Sequence, residues 1–237
     1  MVEAVAVVIG AGGGIGVALI QALASSGRYA RVHALSRDPG EDDGEVFGGV
    51  IDVTDEASIR HAAGRIGPPV DLVVIATGIL HEDGIMPEKA LGELDGGTLA
   101  RIFQLNTIGP ALAFKHFAPL LASDRRTVIT ALSARVGSIS DNRTGGWYGY
   151  RASKAALNMI VKSAAIEIAR SRPLALCFAL HPGTVDTGLS QPFQRGVPPD
   201  RLFSPDRAAR QLLDVIAGLD SRSNGRIFGW DGREIDP

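Results

Sequence analysis

The run G-A-G-G-G-I-G at Gly10–Gly16 constrains this chain more than any other stretch. It follows Val2–Ile9, nearly all Val, Ala and Ile without polar alternation, the pattern of a parallel strand buried on both faces. It precedes Val17–Ser25, a helical run whose end is marked by Gly27. A strand, a glycine turn and a helix form the first half of a dinucleotide site. The glycines let the backbone approach a pyrophosphate, and the helix N-terminus offers free N–H groups and the positive end of its dipole. Two spacings coexist. Gly10 and Gly12 begin a G-x-G-x-x-I pattern that lacks its last glycine, whereas Gly10, Gly14 and Gly16 complete G-x-x-x-G-x-G.

Strand and helix signals then alternate. Arg31–Leu35, Val46–Val53, Asp71–Ala76, Thr127–Leu132, Leu174–Leu180 and Arg226–Trp230 read as further strands. Between them lie helical runs at Thr54–Ala63, capped by Thr54 or Asp55, at Thr98–Leu121, interrupted by Gly109-Pro110, and from Tyr150 onward. A last helix, Asp206–Leu219, has Ser204 as N-cap and Pro205 in its first turn. This alternation predicts an α/β fold: a single-domain, Rossmann-type, doubly wound parallel sheet of about seven strands, with helices on both faces and ligands outside the strands' carboxyl ends. The 237 residues suit one such domain, and a Pro- and Gly-rich stretch near 184–203, centred on Gln191–Arg201, is a candidate lid over a substrate.

The end of the second strand bears on cofactor choice. An acidic residue there would bind a ribose 2′-hydroxyl; this chain has Ser36 and Arg37, which suit a 2′-phosphate and favour NADP(H), with NAD(H) still possible. A local Arg37–Asp38 pair is the competing arrangement. Asp52, ending the third strand, either touches an adenine ring or caps the turn.

A formal net charge of −2, with arginines scattered, gives no field that recommends nucleic acid or a membrane surface as partner. No window reaches the roughly 18 to 20 apolar residues that span a bilayer. The apolar N-terminus carries Glu3 and no basic leader, which argues against export, and the expectation is a cytoplasmic protein. Cys177, the only cysteine, excludes an intramolecular disulfide and sits in an apolar run as a small buried hydrophobe. His81, Glu82 and Asp83 are too close in sequence to close one coordination sphere, so no metal site is expected.

Tyr150 and Lys154 stand four residues apart, on one face of an alanine-rich helix. A phenol of pKa about 10 is a poor acid–base catalyst at neutral pH, and moving it by ~3 units takes about 4 kcal/mol of preference for the anion. One ammonium ~4 Å away, at an effective dielectric near 20, supplies about that much. Tyr150 and Lys154 can therefore form a proton-transfer device in a partly dry pocket. Asn106, mid-helix and followed by Thr107, is an awkward helical residue unless its side chain has a task.

Taken in order, Gly10-x3-Gly14-x-Gly16, Asn106, the serine-bearing loop after Leu132, Tyr150-x3-Lys154 and Pro182-Gly183 resemble the short-chain dehydrogenase/reductase family over nearly the whole chain. The segment from Ser133 to Lys154 looks most like the C-factor-like carbonyl reductases. The resemblance implies reduction of a ketone or aldehyde, or oxidation of the alcohol, and assigns roles. Tyr150 would be proton donor or base. Lys154 would lower its pKa and hold the nicotinamide ribose, Asn106 would keep a water in a proton relay, and Ser133 would bind the substrate oxygen. Gly10, Gly14, Ile15 and Gly16 would cradle the cofactor, Ser36 and Arg37 its adenosine end, and Asp52 and Val53 the adenine. Gly78 would face it, and Pro182, Gly183, Val185 and Thr187 would lie at the carboxamide. The resemblance also implies a homodimer or homotetramer pairing through Thr98–Leu121 and Tyr150–Ser171.

Three departures stand out. The glycine motif usually starts with Thr, where this chain has Ile9, and Asn-Asn-Ala-Gly after the fourth strand reads Ile75-Ala76-Thr77-Gly78. Counting back from Gly137, the family's serine falls on Ala134, one place beyond Ser133. Either the loop shifts to present Ser133, or Ser138 substitutes, or no serine fills the role; Ser133 is the expectation carried forward. A protein that binds the dinucleotide without turning it over is the competing class of function.

Overall fold

The computed structural model describes residues 3–40, 42 and 44–237. Val2 of the expected first strand, and positions 41 and 43 of the acidic turn after Pro39, lie outside the described residues. Seven parallel strands form the central sheet: β1 (Val5–Ile9), β2 (Arg31–Ser36), β3 (Val46–Val50), β4 (Leu72–Ile75), β5 (Thr127–Leu132), β6 (Ala175–His181) and β9 (Ile227–Gly229), in the order β3-β2-β1-β4-β5-β6-β9. A two-stranded parallel pair, β7 (Thr184–Val185) with β8 (Leu202–Phe203), stands apart. It ties the ends of the expected lid segment together.

Alternation along the strands loads both faces with apolar side chains. Val7, Ile9, Val73, Ile75 and Ile129 pack with Ile59 of α2 (Glu56–Ile66), Phe114 and Phe117 of α4 (Gly109–Phe117), and Leu157 and Val161 of α5 (Tyr148–Ser171). Val8, Leu72, Val74, Leu176 and Phe178 pack with Leu19 and Leu23 of α1 (Gly14–Ser25), and with Leu212 and Ile216 of α6 (Pro205–Gly218). Each large aliphatic side chain so buried contributes about 1.5–3 kcal/mol. Asp55 caps α2 and Ser204 caps α6, each accepting a hydrogen bond from a first-turn N–H. Among the described residues no helix is long and apolar enough to cross a membrane.

The chain builds outward from β1 to β3, then returns to lay β4 against the other side of β1. Such a reversal leaves a crevice at the carboxyl ends of the two strands where it occurs. The glycine turn and Gly78 flank that crevice. A β carbon at Gly10 would stand 2.9 Å from the carbonyl carbon of Ala76, and one at Gly16 would overlap the carbonyl oxygen of Gly10. The glycines there permit backbone-to-backbone approach.

The run expected as one interrupted helix over Thr98–Leu121 is α3 (Gly96–Phe103), a π-helical turn (Gln104–Ile108) and α4, followed by a 3-10 turn at Ala118–Leu120. The break precedes Gly109-Pro110. Pro110 sits in the first turn of α4, where a missing N–H is tolerated, and Gly109 lies against the main chain at Val53, whose carbonyl oxygen would be 2.7 Å from a β carbon. The irregularity falls on Asn106.

Gly16→Ala should lower the unfolding free energy by about 1–3 kcal/mol, because the added methyl must displace main chain rather than a flexible side chain. Gly64→Ala in α2, with no atom near the new β carbon, should be neutral or stabilising by about 0.5–1 kcal/mol. Urea unfolding of the two variants checks the contrast.

Candidate active site

Helix α5 carries Tyr150 and Lys154, and its position is set from several directions. At its N-terminus Trp147 is left-handed, with φ 52°, and donates its N–H to the Glu88 carbonyl at 2.5 Å. The Glu88 carboxylate accepts from the Gly149 N–H at 3.1 Å, supplying the first turn of α5 with the anion that its own sequence lacks. Glu88 is buried, and a β carbon at Gly149 would meet its Oε1 at 2.9 Å, so the glycine lets the carboxylate come close without a shift. One turn on, Asn106 donates through Nδ2 to Ser153 Oγ at 3.1 Å and to the Ile79 carbonyl at 2.8 Å, while its Oδ1 accepts from the Ile79 N–H at 2.7 Å. Thr107 Oγ1 donates to the Ser153 carbonyl at 2.8 Å. The π turn thus aims two adjacent polar side chains at α5 and locks it to the loop after β4. The Asn106 amide nitrogen is committed to the Ile79 carbonyl and Ser153 Oγ.

Lys154 is 3% exposed, and its Nζ donates to the Leu132 carbonyl at the end of β5, 2.9 Å away. A β carbon on Gly78 would stand 3.0 Å from Asn106 Oδ1 and 3.2 Å from Lys154 Nζ, so all three positions meet at one point. Gly137 admits α5 equally closely, since its β carbon would lie 2.8 Å from that of Lys154. The ammonium stands 5.9 Å from the centre of the Tyr150 ring. Tyr150 is buried in an apolar cluster with Leu80 and Ala134, against which Val136, Trp147 and Phe193 pack.

Burial decides the charge states of the pair. Desolvation pushes Tyr150 up to about 12 and Lys154 down to about 8. The expected lowering of the Tyr150 pKa by Lys154 is therefore not what the protein alone produces, because an apolar surround penalises a phenolate more than a ring-distance ammonium helps it. At neutral pH the tyrosine is protonated and the lysine charged.

Both candidate serines have partners within the protein. Ser133 Oγ donates to Asn158 Oδ1 at 2.6 Å, and Ser138 Oγ accepts from the Asp141 N–H at 3.1 Å. Adjacent residues in extended chain face opposite ways, so with Ser133 turned to Asn158 it is Ala134 that faces Tyr150.

An open cleft of about 610 Å³ lies over the β1–β4 crevice, lined by Gly10, Gly12, Ser36, Arg37, Asp52, Val53 and Gly78 among others, and Gly78 brings its edge beside Lys154. Its residues fit a dinucleotide. Thr77 Oγ1, also on the lining, is buried without a partner in the protein among the described residues, and stands ready for a ligand's polar group. Asp52 accepts from the N–H and Oγ1 of Thr54, at 2.8 and 2.7 Å, and these bonds hold its carboxylate below the usual range. It caps the turn while lining the cleft. No ion pair joins Arg37 to Asp38 among the described residues. A second guanidinium that the sequence did not single out, Arg101, reaches the same end of the cleft and pairs with Glu82 at 2.8 Å.

At the other end, Thr187 lies against the glycine turn: a β carbon on Gly14 would be 2.7 Å from its Cγ2. Ile15 packs on the buried cluster of Val185, Phe203 and Ala208. Pro182-Gly183 turns here, but Gly183 (φ 79°) abuts Phe203 and Trp230 and borders a separate cavity of about 790 Å³, not the open cleft. The expected lid is folded down. His81 Nε2 bonds the Gly188 carbonyl at 3.0 Å, and the Phe193 ring meets Trp147 edge-on at 5.1 Å.

The lysine shift has a measurable sign. Between about 8 and the ordinary lysine value of 10.5, the unfolded chain holds a proton at Lys154 that the folded protein has released, so this group makes stability rise with pH across that window. Lys154→Met removes that dependence. The wild-type-minus-variant difference in unfolding free energy should shift by up to about 3 kcal/mol between pH ~7 and pH ~10.5, read from urea unfolding. A difference independent of pH would show that the amine is not buried in solution.

Comparison with known proteins agrees with this geometry. Residues 4–197 match the short chain dehydrogenase family. The chain is 35% identical over 168 residues to the C-signal protein of Myxococcus xanthus, covering 70% of this chain and 92% of that protein. It is 32% identical over 183 residues to 1-hydroxy-2-glutathionyl-2-methyl-3-butene dehydrogenase of Rhodococcus sp. (strain AD45), covering 77% and 76%. Among solved structures, NADPH-bound carbonyl reductase from chicken fatty liver superposes with a TM-score of 0.81 at 25% identity, over 100% of this chain and 99% of that one. The fold, the shared cleft and these matches lead to one conclusion: the chain belongs to the short chain dehydrogenase family of oxidoreductases.

Proposed function

We propose that the protein is an NADP(H)-dependent oxidoreductase that interconverts a small ketone or aldehyde with its alcohol. The observation that carries this reading is the burial of Tyr150 and Lys154 on one helix face, with Lys154 meeting Gly78 at the edge of the glycine-lined cleft. A bound nicotinamide dinucleotide supplies the hydride. Tyr150, whose burial keeps the phenol protonated, gives its proton to the substrate oxygen in reduction and takes one back in oxidation. Lys154 holds the nicotinamide ribose, and its charge stabilises the phenolate left after proton transfer. Asn106 fixes α5 and, through its main-chain carbonyl, holds the water that returns a proton toward Lys154.

Gly10, Gly14, Ile15, Gly16 and Gly78 admit the cofactor, Ser36 and Arg37 take its 2′-phosphate, Asp52 and Val53 flank the adenine, and Val185 and Thr187 flank the carboxamide, positioned by the Pro182-Gly183 turn before them. NADPH is the cofactor printed for the chicken carbonyl reductase, which supports this preference. The segment 184–203 acts as the substrate lid of a single domain. Exposed Ile108, Met159 and Ile166, on α4's approach and on α5, support a homodimer or homotetramer formed through those helices.

Tyr150→Phe should abolish carbonyl-dependent NADPH oxidation, by about 100-fold or more, with NADPH affinity nearly unchanged. Unaltered turnover would falsify the assignment, and tight NADPH binding without turnover of any carbonyl by the wild type would leave a protein that only holds the dinucleotide. Arg37→Gln should weaken NADPH binding by about tenfold or more while leaving NADH within about twofold, as titration calorimetry would show. Equal losses would remove the phosphate contact.

A further inference from the structure

The separate cavity at the Pro182-Gly183 turn, of about 790 Å³, has a size ordinary for small-molecule sites. Its lining comes largely from the β7–β8 pair and from the residues that follow β9, and none of it is shared with the cofactor cleft. Two rings stand in its wall. Phe203 and Trp230 meet edge to face with centres 4.7 Å apart. Both abut Gly183, where a β carbon would lie 2.7 Å from the Phe203 ring and 3.0 Å from the Trp230 ring.

Most charges on this lining are already matched. Arg135 binds Asp141 at 2.6 Å, Glu234 binds Arg226 at 2.6 Å, and Arg233 stands 3.5 Å from Asp231. Arg201 and Arg207 have no carboxylate partner among the described residues, and Asp200 has no cation. The Arg207 guanidinium lies over the Phe203 ring, 4.0 Å from its centre, and gives one N–H to the Asp200 carbonyl at 3.4 Å. Two unmatched guanidiniums against one unmatched carboxylate leave the lining with one positive charge in excess. An arginine fork fits the two oxygens of a carboxylate, and a single excess charge suits a monoanion over a doubly charged phosphate ester.

His181, the last residue of β6, lines the same cavity. Burial, with Arg135 nearby, holds its ring down to about 4, so it is uncharged at neutral pH. Its Nδ1 is buried with no partner among the described residues. A buried polar atom left unpaired in such a wall is the mark of a site completed by a ligand or by water.

We infer that this cavity binds a flat aromatic monocarboxylate, with its ring against the aromatic wall and its carboxylate on Arg201 and Arg207. The site is independent of the reductase reading, since its chemistry needs neither the dinucleotide nor Tyr150.

The probe is 2-naphthoate, titrated into the full chain at neutral pH by calorimetry, where one saturable site with Kd at or below about 1 mM is expected. 2-Naphthamide, of the same outline without the charge, should bind at least about tenfold more weakly, and 2-naphthyl phosphate no more tightly than the carboxylate. This comparison needs no variant. Arg201→Met and Arg207→Met, both at exposed positions, should each weaken 2-naphthoate by about fivefold or more, while Arg37→Gln in the cofactor cleft leaves it within about twofold. Equal binding of acid and amide, tighter binding of the phosphate, indifference to both arginine variants, or no binding at all overturns the inference. Loss of binding in Arg37→Gln alone would put the ligand in the cofactor cleft, which overturns this site and leaves the reductase reading untouched.

Discussion

Much of this structure is arranged around one buried charge, the ammonium of Lys154. Taking such a group out of water costs several kcal/mol, and it stays charged only where the protein supplies acceptors. The end of β5 supplies one in the Leu132 carbonyl. The turn after β4 brings Gly78 and the Asn106 amide to the same spot, and Gly137 lets the helix come close enough for the side chain to reach. Each concession is local, and each is made in a residue that would otherwise be a poor choice: a glycine in tight contact, an asparagine mid-helix. Their common result is a lysine whose charge is only just retained at neutral pH, beside a phenol that burial keeps protonated.

The elements that depend on periodicity were legible in the sequence. The parallel strands, their order of appearance, the caps at Asp55 and Ser204 and the glycine turn follow from hydrophobic patterning and from backbone needs that only glycine meets. Asn106 announced itself as a polar residue without a helical reason. What stayed hidden depends on where chain segments distant in sequence come together. Glu88 lies in an irregular stretch and acquires its task only when the turn beneath Gly149 arrives. Arg101 reads as a surface helix residue until the Glu82 loop folds over it. The count back from Gly137 already put Ala134 in register with the family's serine, but only the folded loop shows Ser133 bonded to Asn158 and Ala134 packed on Tyr150.

The two ends of the cleft differ in a way that composition conceals. The end at Arg37 and Arg101 is open, polar and lined by arginines, whereas Tyr150 is packed under Trp147 and Phe193, with His81 bonded to the Gly188 carbonyl nearby. That division matches the chemistry: charge recognition tolerates water, and hydride transfer does not.

The π turn at Gln104–Ile108 has a consequence for how this chain can change over generations. One extra residue in the turn rotates everything downstream by about 100° relative to an unbroken helix. Deleting it would swing Ala113, Phe114 and Phe117 off the sheet and expose them, so the irregularity cannot be trimmed without rebuilding half the layer. Helix α3 and helix α4 are thereby kept in separate phase, each free to drift in sequence on its own face while the asparagine between them is held in place by the core beyond it.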